Sequence, residues 1–286
     1  MKAHLECLPC LGKNAVDAAM RSTTDAKLRL AIVAESLRLL ADNDLSMPPP
    51  YMLRQLFEIA MKHTGVADVH LAEKRRSNQL AKQLVGELGN LPEYDAKSFE
   101  SNLRLAVAGN IIDFGIFADL DIAAALETVK AVMREVLDTA AVDRLKRRMD
   151  ASSRILYILD NCGEAVFDGV FLKPYRDKVT LVVRGRPVLN DVTAADLADC
   201  GLDELGCRVI DNGPEGIPGV IPGRCGEVLE RAMRECDLVI AKGQGNFETL
   251  SDVDVPIAFL FLAKCRVVAG ELGVALNSIQ VRTKNF

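Results

Sequence analysis

Residues 155–164, Ile-Leu-Tyr-Ile-Leu-Asp160-Asn161-Cys-Gly163-Glu164, constrain the fold more than any other stretch. The unbroken apolar run 155–159 predicts a strand buried on both faces, the pattern of a parallel sheet. It stops at an Asp-Asn pair and a glycine, and an apolar segment suited to a helix follows at 165–172. In open α/β sheets ligands bind beyond the carboxyl ends of strands, which places Asp160 and Asn161 in the binding crevice. Two oxygen-bearing side chains there suit a hard divalent cation. An Asx turn with a helix cap is the plainer account of the same pair.

Before this strand, apolar residues recur at helical spacing. Helices are predicted over Cys10–Arg21, 26–41, from Pro50 onward, 68–88, 95–112, 121–137 and 141–149, separated by breakers such as Met47-Pro-Pro-Pro50 and Leu91-Pro92. Gly109-Asn110-Ile-Ile-Asp113-Phe-Gly115 marks a buried polar corner at the end of one of them. From about 152 strand and helix alternate, which implies a parallel sheet. Strands are expected at 155–160, 179–184, 206–210, 237–241, 257–262 and 278–283, and helices at 164–172, 193–200, 225–236 and 247–251. The expected fold is therefore α/β. An all-helical region, residues 1–150, packs against a mostly parallel sheet carried by residues 151–286. The Gly- and Pro-rich stretch 211–224 predicts a long loop on the edge that holds the strand ends.

The chain has 286 residues, 49% of them hydrophobic and 26% charged, enough for a substantial core. Its net charge of −5 argues against nucleic acid as a partner. No apolar run reaches transmembrane length, and the start, Met-Lys-Ala-His-Leu-Glu-Cys, lacks a signal-peptide run, so no membrane association and a cytoplasmic location are expected. Eight cysteines are scattered through the chain. Cys7-Leu-Pro-Cys10 stands out as half of a metal site, a redox pair, or neither. If thiolates bind a metal there, His4 and the distant Cys265 are candidates to complete the site.

Three strand ends carry polar residues. The first supplies Asp160, Asn161 and Glu164. The second is followed by Arg184-Gly-Arg186-Pro-Val-Leu-Asn190-Asp191-Val-Thr193, where ordinary capping also accounts for Asn190 and Asp191. The third, Lys242-Gly243-Gln244-Gly245-Asn246-Phe-Glu248, has the physics of a phosphate cradle. Glycines let backbone N–H groups approach an anion, and lysine adds a point charge. A plain turn explains the glycines alone. Together, an acidic pair, an amide oxygen and a phosphate-sized cradle make a layout for metal-assisted phosphoryl chemistry.

The set Gly109-Asn110-Ile-Ile-Asp113, Asp160-Asn161-x-Gly163-Glu164, Arg186-Pro-x-x-Asn190-Asp191-Val-Thr193 and Lys242-Gly-Gln-Gly-Asn246-Phe-Glu248 resembles the damage-control phosphatase family. The resemblance spans essentially the whole chain, with the four motifs in order. Cys7-x-x-Cys10 and Lys264-Cys265 resemble its compact, mainly prokaryotic branch. It implies a helical region on a Rossmann-like domain and a metal-dependent phosphomonoesterase. The implied substrates are small phosphorylated metabolites, either sugar phosphates or damaged cofactor precursors. The implied cofactor is a divalent ion (Mn, Co, Ni or Mg), held by Asp160, Asn161 and Asp191. Lys242 and the Gly243, Gly245 and Asn246 segment would bind phosphate, with Asn110, Asp113 and Glu164 reaching in and Glu248 orienting Lys242 or the substrate. Cys162 departs from the small inert residue expected there and would make the site oxidation-sensitive.

The favoured mechanism is in-line attack by a metal-bound water, with the cation and Lys242 stabilising the equatorial oxygens. The alternative makes Asp160 the nucleophile. Haloacid-dehalogenase enzymes do this with a second Asp two residues on, a position held here by Cys162. A non-catalytic nucleotide- or cofactor-binding protein would need a glycine-rich turn directly after the first strand, which has only Gly163. A cysteine-based metal or redox sensor using Cys7, Cys10 and Cys265 is the third reading. Substrate identity and oligomeric state are not encoded in any motif.

Overall fold

The computed structural model describes residues 1–111 and 122–286, with the side chains of 110 and 111 also outside the description. Seven helices precede the sheet: α1 (Cys7–Ser22), α2 (Ala26–Ala41), α3 (Pro49–Thr64), α4 (Leu71–Glu87), α5 (Phe99–Ile111), α6 (Ile122–Arg134) and α7 (Thr139–Ala151). Their boundaries follow local chemistry. The Asp25 carboxylate caps α2 through the Lys27 and Leu28 amides, Pro49 and Pro50 open α3, and Gly65 ends it in the left-handed region.

The second half alternates as β1 (Ile155–Ile158), α8 (Glu164–Leu172), β2 (Val179–Val183), α9 (Leu197–Cys200), β3 (Arg208–Asp211), α10 (Glu227–Glu235), β4 (Leu238–Lys242), α11 (Gly243–Leu250), β5 (Ile257–Leu262), α12 (Arg266–Leu272) and β6 (Ile279–Lys284). The strands form one sheet in the order β3-β2-β1-β4-β5-β6. All pairs are parallel except β5 with β6. The fold is thus the mostly parallel α/β architecture expected, with chain order reversing between β1 and β4. Crossovers depart to opposite faces there and leave a crevice at the strands' carboxyl ends.

Some elements differ from the sequence reading, among them the helix expected at 193–200, which is α-helical only over Leu197–Cys200. The helix expected at 247–251 starts at Gly243, because a glycine with φ of 76° lets the chain turn straight from β4 into α11. The helix α12 was not anticipated. It is short, and Cys265 caps it by accepting the Val268 amide through sulfur.

Alternation along the central strands sends side chains into two cores. Ile155, Tyr157, Leu238 and Ile240 pack with residues of α4, α5, α7 and α8, while Leu156, Ile158, Val239 and Ala241 pack with α10, α11 and α12. Each such large apolar side chain, once buried, contributes about 1.5–3 kcal/mol. The first core includes Leu84, Leu103, Leu145 and Met149 together with Phe167 and Leu181, so helices from the first half and the sheet share it. Helices α1 to α3 pack mainly on one another and reach the sheet's upper edge through Val188 and Leu189. No helix among the described residues is long and apolar enough to cross a membrane.

Candidate active site

The chain leaving β1 is stitched to the chain leaving β2. The Val192 amide donates to the Asp160 carbonyl (2.9 Å), the Cys162 amide to the Asn190 carbonyl (2.8 Å) and the Arg184 amide to the Val192 carbonyl (2.8 Å). Asn161 and Asp191 therefore lie opposite each other in an antiparallel bridge. Gly163, with φ of 81°, turns the chain into α8 while its amide donates to Asn78 Oδ1 (2.6 Å). Backbone pairing, more than side-chain contact, thus brings Asp160, Asn161 and Asp191 together.

Arg184 lies beneath these residues and is 1% exposed; its Nε donates to Asp191 Oδ2 at 2.6 Å and its Nη2 is 3.5 Å from Asp160 Oδ1. Asn161 Nδ2 donates to Asp160 Oδ2 (3.0 Å). Burial, then the charges of Asp191 and Glu164, push the Asp160 carboxyl well above the usual carboxylate range, against the pull of Arg184 and Lys264. Burial also raises Asp191, opposed chiefly by Arg184. Crowded negative charge in a buried place is what a divalent cation relieves, and the donors are hard oxygens. The set fits such an ion. Two carboxylates and one carboxamide leave room for substrate oxygens, as magnesium-type sites do. No group of three or more His, Cys, Asp or Glu side chains is placed to hold a metal among the described residues. That applies to Cys7, Cys10 and Cys265 as a thiolate site.

A cavity of about 760 Å³ opens above these residues, lined by Gly109, Asp160, Asn161 and Asp191 on one side and by Gln244, Gly245, Glu248 and Lys264 on another. The starts of α1 and α3 close it with Pro9, Leu11, Pro50 and Leu53. Helix α11 points its N-terminus here and has no side-chain cap, so its first amides lack intrahelical partners. The backbone comes close because Gly243 has no side chain; a Cβ there would overlap Asp160 Oδ2. Gly243→Ala therefore displaces Asp160 and strains a left-handed residue. Its expected effect is a drop of about 10²-fold in kcat/KM for whatever reaction the cavity carries. Wild-type turnover by this variant would show that the close approach is unimportant.

Lys242 takes a different place from a phosphate-facing lysine. It is fully buried, and its Nζ donates to Asp168 Oδ1 (2.6 Å) and to the Ala106 carbonyl (2.8 Å) while pairing with Glu164 Oε1 (2.6 Å). Tyr157 Oη donates to the same Asp168 oxygen (2.7 Å). Burial, reinforced by Glu164, raises the Asp168 carboxyl to about 6 despite Lys242 and Tyr157. Asn246 is likewise turned inward, donating to the carbonyls of Lys242 (2.6 Å) and Leu159 (3.3 Å). Lys264, absent from the sequence-derived site, is a cation that lines the cavity and acts electrostatically on Asp160.

Cys7, Cys10 and Cys265 all reach the cavity wall, and all eight cysteines are free. Cys265 Sγ accepts from Gln244 Nε2 (3.4 Å). Burial, with neighbouring charge from Glu248 and the other cysteines, raises the Cys7 and Cys10 thiols above their ordinary value. The buried Cys162 thiol, also raised, abuts Cys200. Asp113 lies outside the described residues, and of Asn110 only its place in α5 is described.

Sequence reasoning overlooked Arg184, Asp168 and Lys264. A signal existed for the first two. Arg184 ends a strand otherwise made of apolar residues and Thr180, and Asp168 follows Glu164 by one helical turn in an otherwise apolar helix. Lys264 carried only its adjacency to Cys265.

These features define a Rossmann-type α/β protein with an oxyanion- and cation-suited cavity at its topological switch point. The chain matches the damage-control phosphatase ARMT1-like domain over residues 3–279. It is 32% identical to a damage-control phosphatase of Archaeoglobus fulgidus over 98% of both chains. It is also 32% identical to one of Pyrococcus horikoshii, over 100% of this chain and 99% of that one. A crystal structure of a DUF89 family protein from Pyrococcus horikoshii superposes with a TM-score of 0.89 at 30% identity, covering 99% of this chain and all of the other. The chain belongs to the damage-control phosphatase family, a family of phosphatases.

Proposed function

We propose that this protein hydrolyses phosphate monoesters of small metabolites with the help of a divalent cation held by Asp160, Asn161 and Asp191. The observation that carries this reading is the convergence of those oxygens with the open N-terminus of α11 in one cavity. A volume of about 760 Å³ accommodates a phosphate ester with a sizeable organic group. The damage-control phosphatases of Archaeoglobus fulgidus and Pyrococcus horikoshii, by their names, support substrates among damaged metabolites.

When bound, the cation supplies positive charge that neutralises the phosphoryl oxygens in the transition state. The chain's own groups do the positioning. The first amides of α11 and the Lys264 ammonium face the phosphoryl oxygens. Arg184 holds Asp191 and Asp160 in place from below. Lys242 acts at one remove, fixing Glu164 and Asp168 under the junction of β4 with α11. Attack by water is favoured over attack by Asp160, because both carboxylate oxygens of Asp160 are engaged and the Gly243 backbone crowds one of them.

The test is hydrolysis of p-nitrophenyl phosphate by chelator-stripped protein, before and after return of Mn, Co, Ni or Mg. The expected result is turnover that disappears on stripping and returns with at least one cation. Turnover that persists after stripping, or returns with none of them, would defeat the reading.

A further inference from the structure

Glu248 lies in the cavity wall, and the contacts of the Lys242 ammonium go to Glu164, Asp168 and the Ala106 carbonyl, so Glu248 is not what orients that lysine. It sits on the second turn of α11, on the same face as Gln244, whose Nε2 donates to Glu248 Oε1 at 2.8 Å. The residue is 8% exposed, and no cation forms an ion pair with its side chain among the described residues. This sets it apart from Asp160 and Asp191, which share Arg184, and from Glu164 and Asp168, which share Lys242.

From the geometry we infer that Glu248 is the general acid that protonates the leaving oxygen of the phosphate ester, an inference that rests on the phosphatase reading above. Gly243 abuts Asp160, and Glu248 lies five residues further along the helix, about 7.5 Å at 1.5 Å per residue. An in-line displacement holds attacking and leaving oxygens on opposite sides of phosphorus. A phosphoryl group seated at Asp160 and the first turn of α11 directs its leaving oxygen along the helix towards Glu248. Cys7, Pro9, Cys10 and Leu11 line the same cavity as Glu248 and offer a partly apolar wall to the organic portion.

The chemistry balances. The water oxygen forms a bond to phosphorus while the ester P–O bond breaks, its electron pair passing to the leaving oxygen. That oxygen takes the Glu248 proton and departs as an alcohol. The carboxylate left behind regains a proton from solvent, which receives the one released by the attacking water.

Burial supports the assignment by raising the Glu248 carboxyl to about 7, against the Gln244 hydrogen bond and the Met1 ammonium, with Glu271 adding to the rise. The other titratable groups of the same cavity wall are Glu6, Cys7 and Cys10 at the start of α1, Lys264, Cys265 and Arg266 around the start of α12, and Asp160 and Asp191. The thiols of Cys7 and Cys10 are themselves raised, so they add no negative charge at neutral pH.

The test compares wild type with Glu248→Gln on two esters, glycerol phosphate and p-nitrophenyl phosphate. An alkoxide needs a proton to leave, whereas p-nitrophenolate is a stable anion. Turnover of glycerol phosphate is expected to fall about 10²-fold further than that of p-nitrophenyl phosphate, with the loss in kcat. The basic limb near pH 7 of the wild-type glycerol phosphate profile should vanish in the variant. Equal losses on both esters, or a retained basic limb, would overturn the proposal. If the variant does not fold, wild type alone decides across aryl phosphates of rising leaving-group basicity. A shallow dependence supports the general acid and a steep one overturns it. Absence of any wild-type p-nitrophenyl phosphate turnover would instead defeat the phosphatase reading beneath it.

Discussion

Asp160→Ala is expected to lower kcat/KM for p-nitrophenyl phosphate by about 10³-fold or more, the largest effect of any single change in the cavity. Asp160 is the residue on which the site's separate requirements meet. It supplies a cation ligand, it accepts from Asn161 Nδ2, and it faces both Gly243 and Arg184. Removing it leaves the backbone stitching intact, because Val192 donates to the Asp160 carbonyl and not to its side chain. The variant should therefore fold. Its thermal midpoint is expected to be unchanged or higher, since a crowded buried carboxylate has been taken away. The measurement is steady-state kinetics with saturating cation beside a melting curve. A stable variant that keeps wild-type turnover would remove Asp160 from the reaction.

Lys242→Met carries the largest expected effect on stability. The lysine and both of its carboxylate partners are fully buried, and loss of one member of a buried pair typically costs about 3–5 kcal/mol. For a chain of this size that corresponds to a fall in thermal midpoint of roughly 10 °C. The destabilisation should shrink in the double variant with Asp168→Asn, which removes one of the stranded charges. Its pH dependence has a definite sign. Asp168 in the native protein binds its proton more tightly than the ordinary value of 3.8, with the folded value near 6. As pH rises through that window the unfolded chain releases the proton first, so this group's contribution to stability falls between about 4 and about 6 and is level above. Without Lys242 the decline should extend to higher pH. Denaturant midpoints measured across this range check it. A variant as stable as wild type at neutral pH would mean that the buried charges are already neutralised in another way.

Much of the architecture was legible along the chain because it is set by neighbours in sequence. The strand at 257–262 and the helix at 164–172 coincide with their expected bounds, since a continuous apolar run between breakers leaves few alternatives. The start of α11 was misread because Lys242-Gly-Gln-Gly reads locally as a turn. The distinguishing fact is the left-handed conformation of Gly243, at a position where a Cβ would overlap Asp160. Likewise Arg184 looked like the end of a strand, whereas its importance comes from two carboxylates that meet over it, Asp160 on the chain leaving β1 and Asp191 on the loop after β2.

By itself, then, the sequence determined the α/β class, the mostly parallel sheet and the strand ends that carry polar side chains, because hydrophobic period and turn chemistry act over a few residues. Only the tertiary structure decided which of those side chains face the cavity. Lys242 ends a strand as a phosphate ligand would, yet Glu164 and Asp168 of α8 and the Ala106 carbonyl of α5 draw it inward. Lys264, Glu248 and the thiols of Cys7, Cys10 and Cys265 reach one cavity from elements far apart in the chain. The physical reason is that a buried charge goes where partners can satisfy it, and those partners come together only through packing.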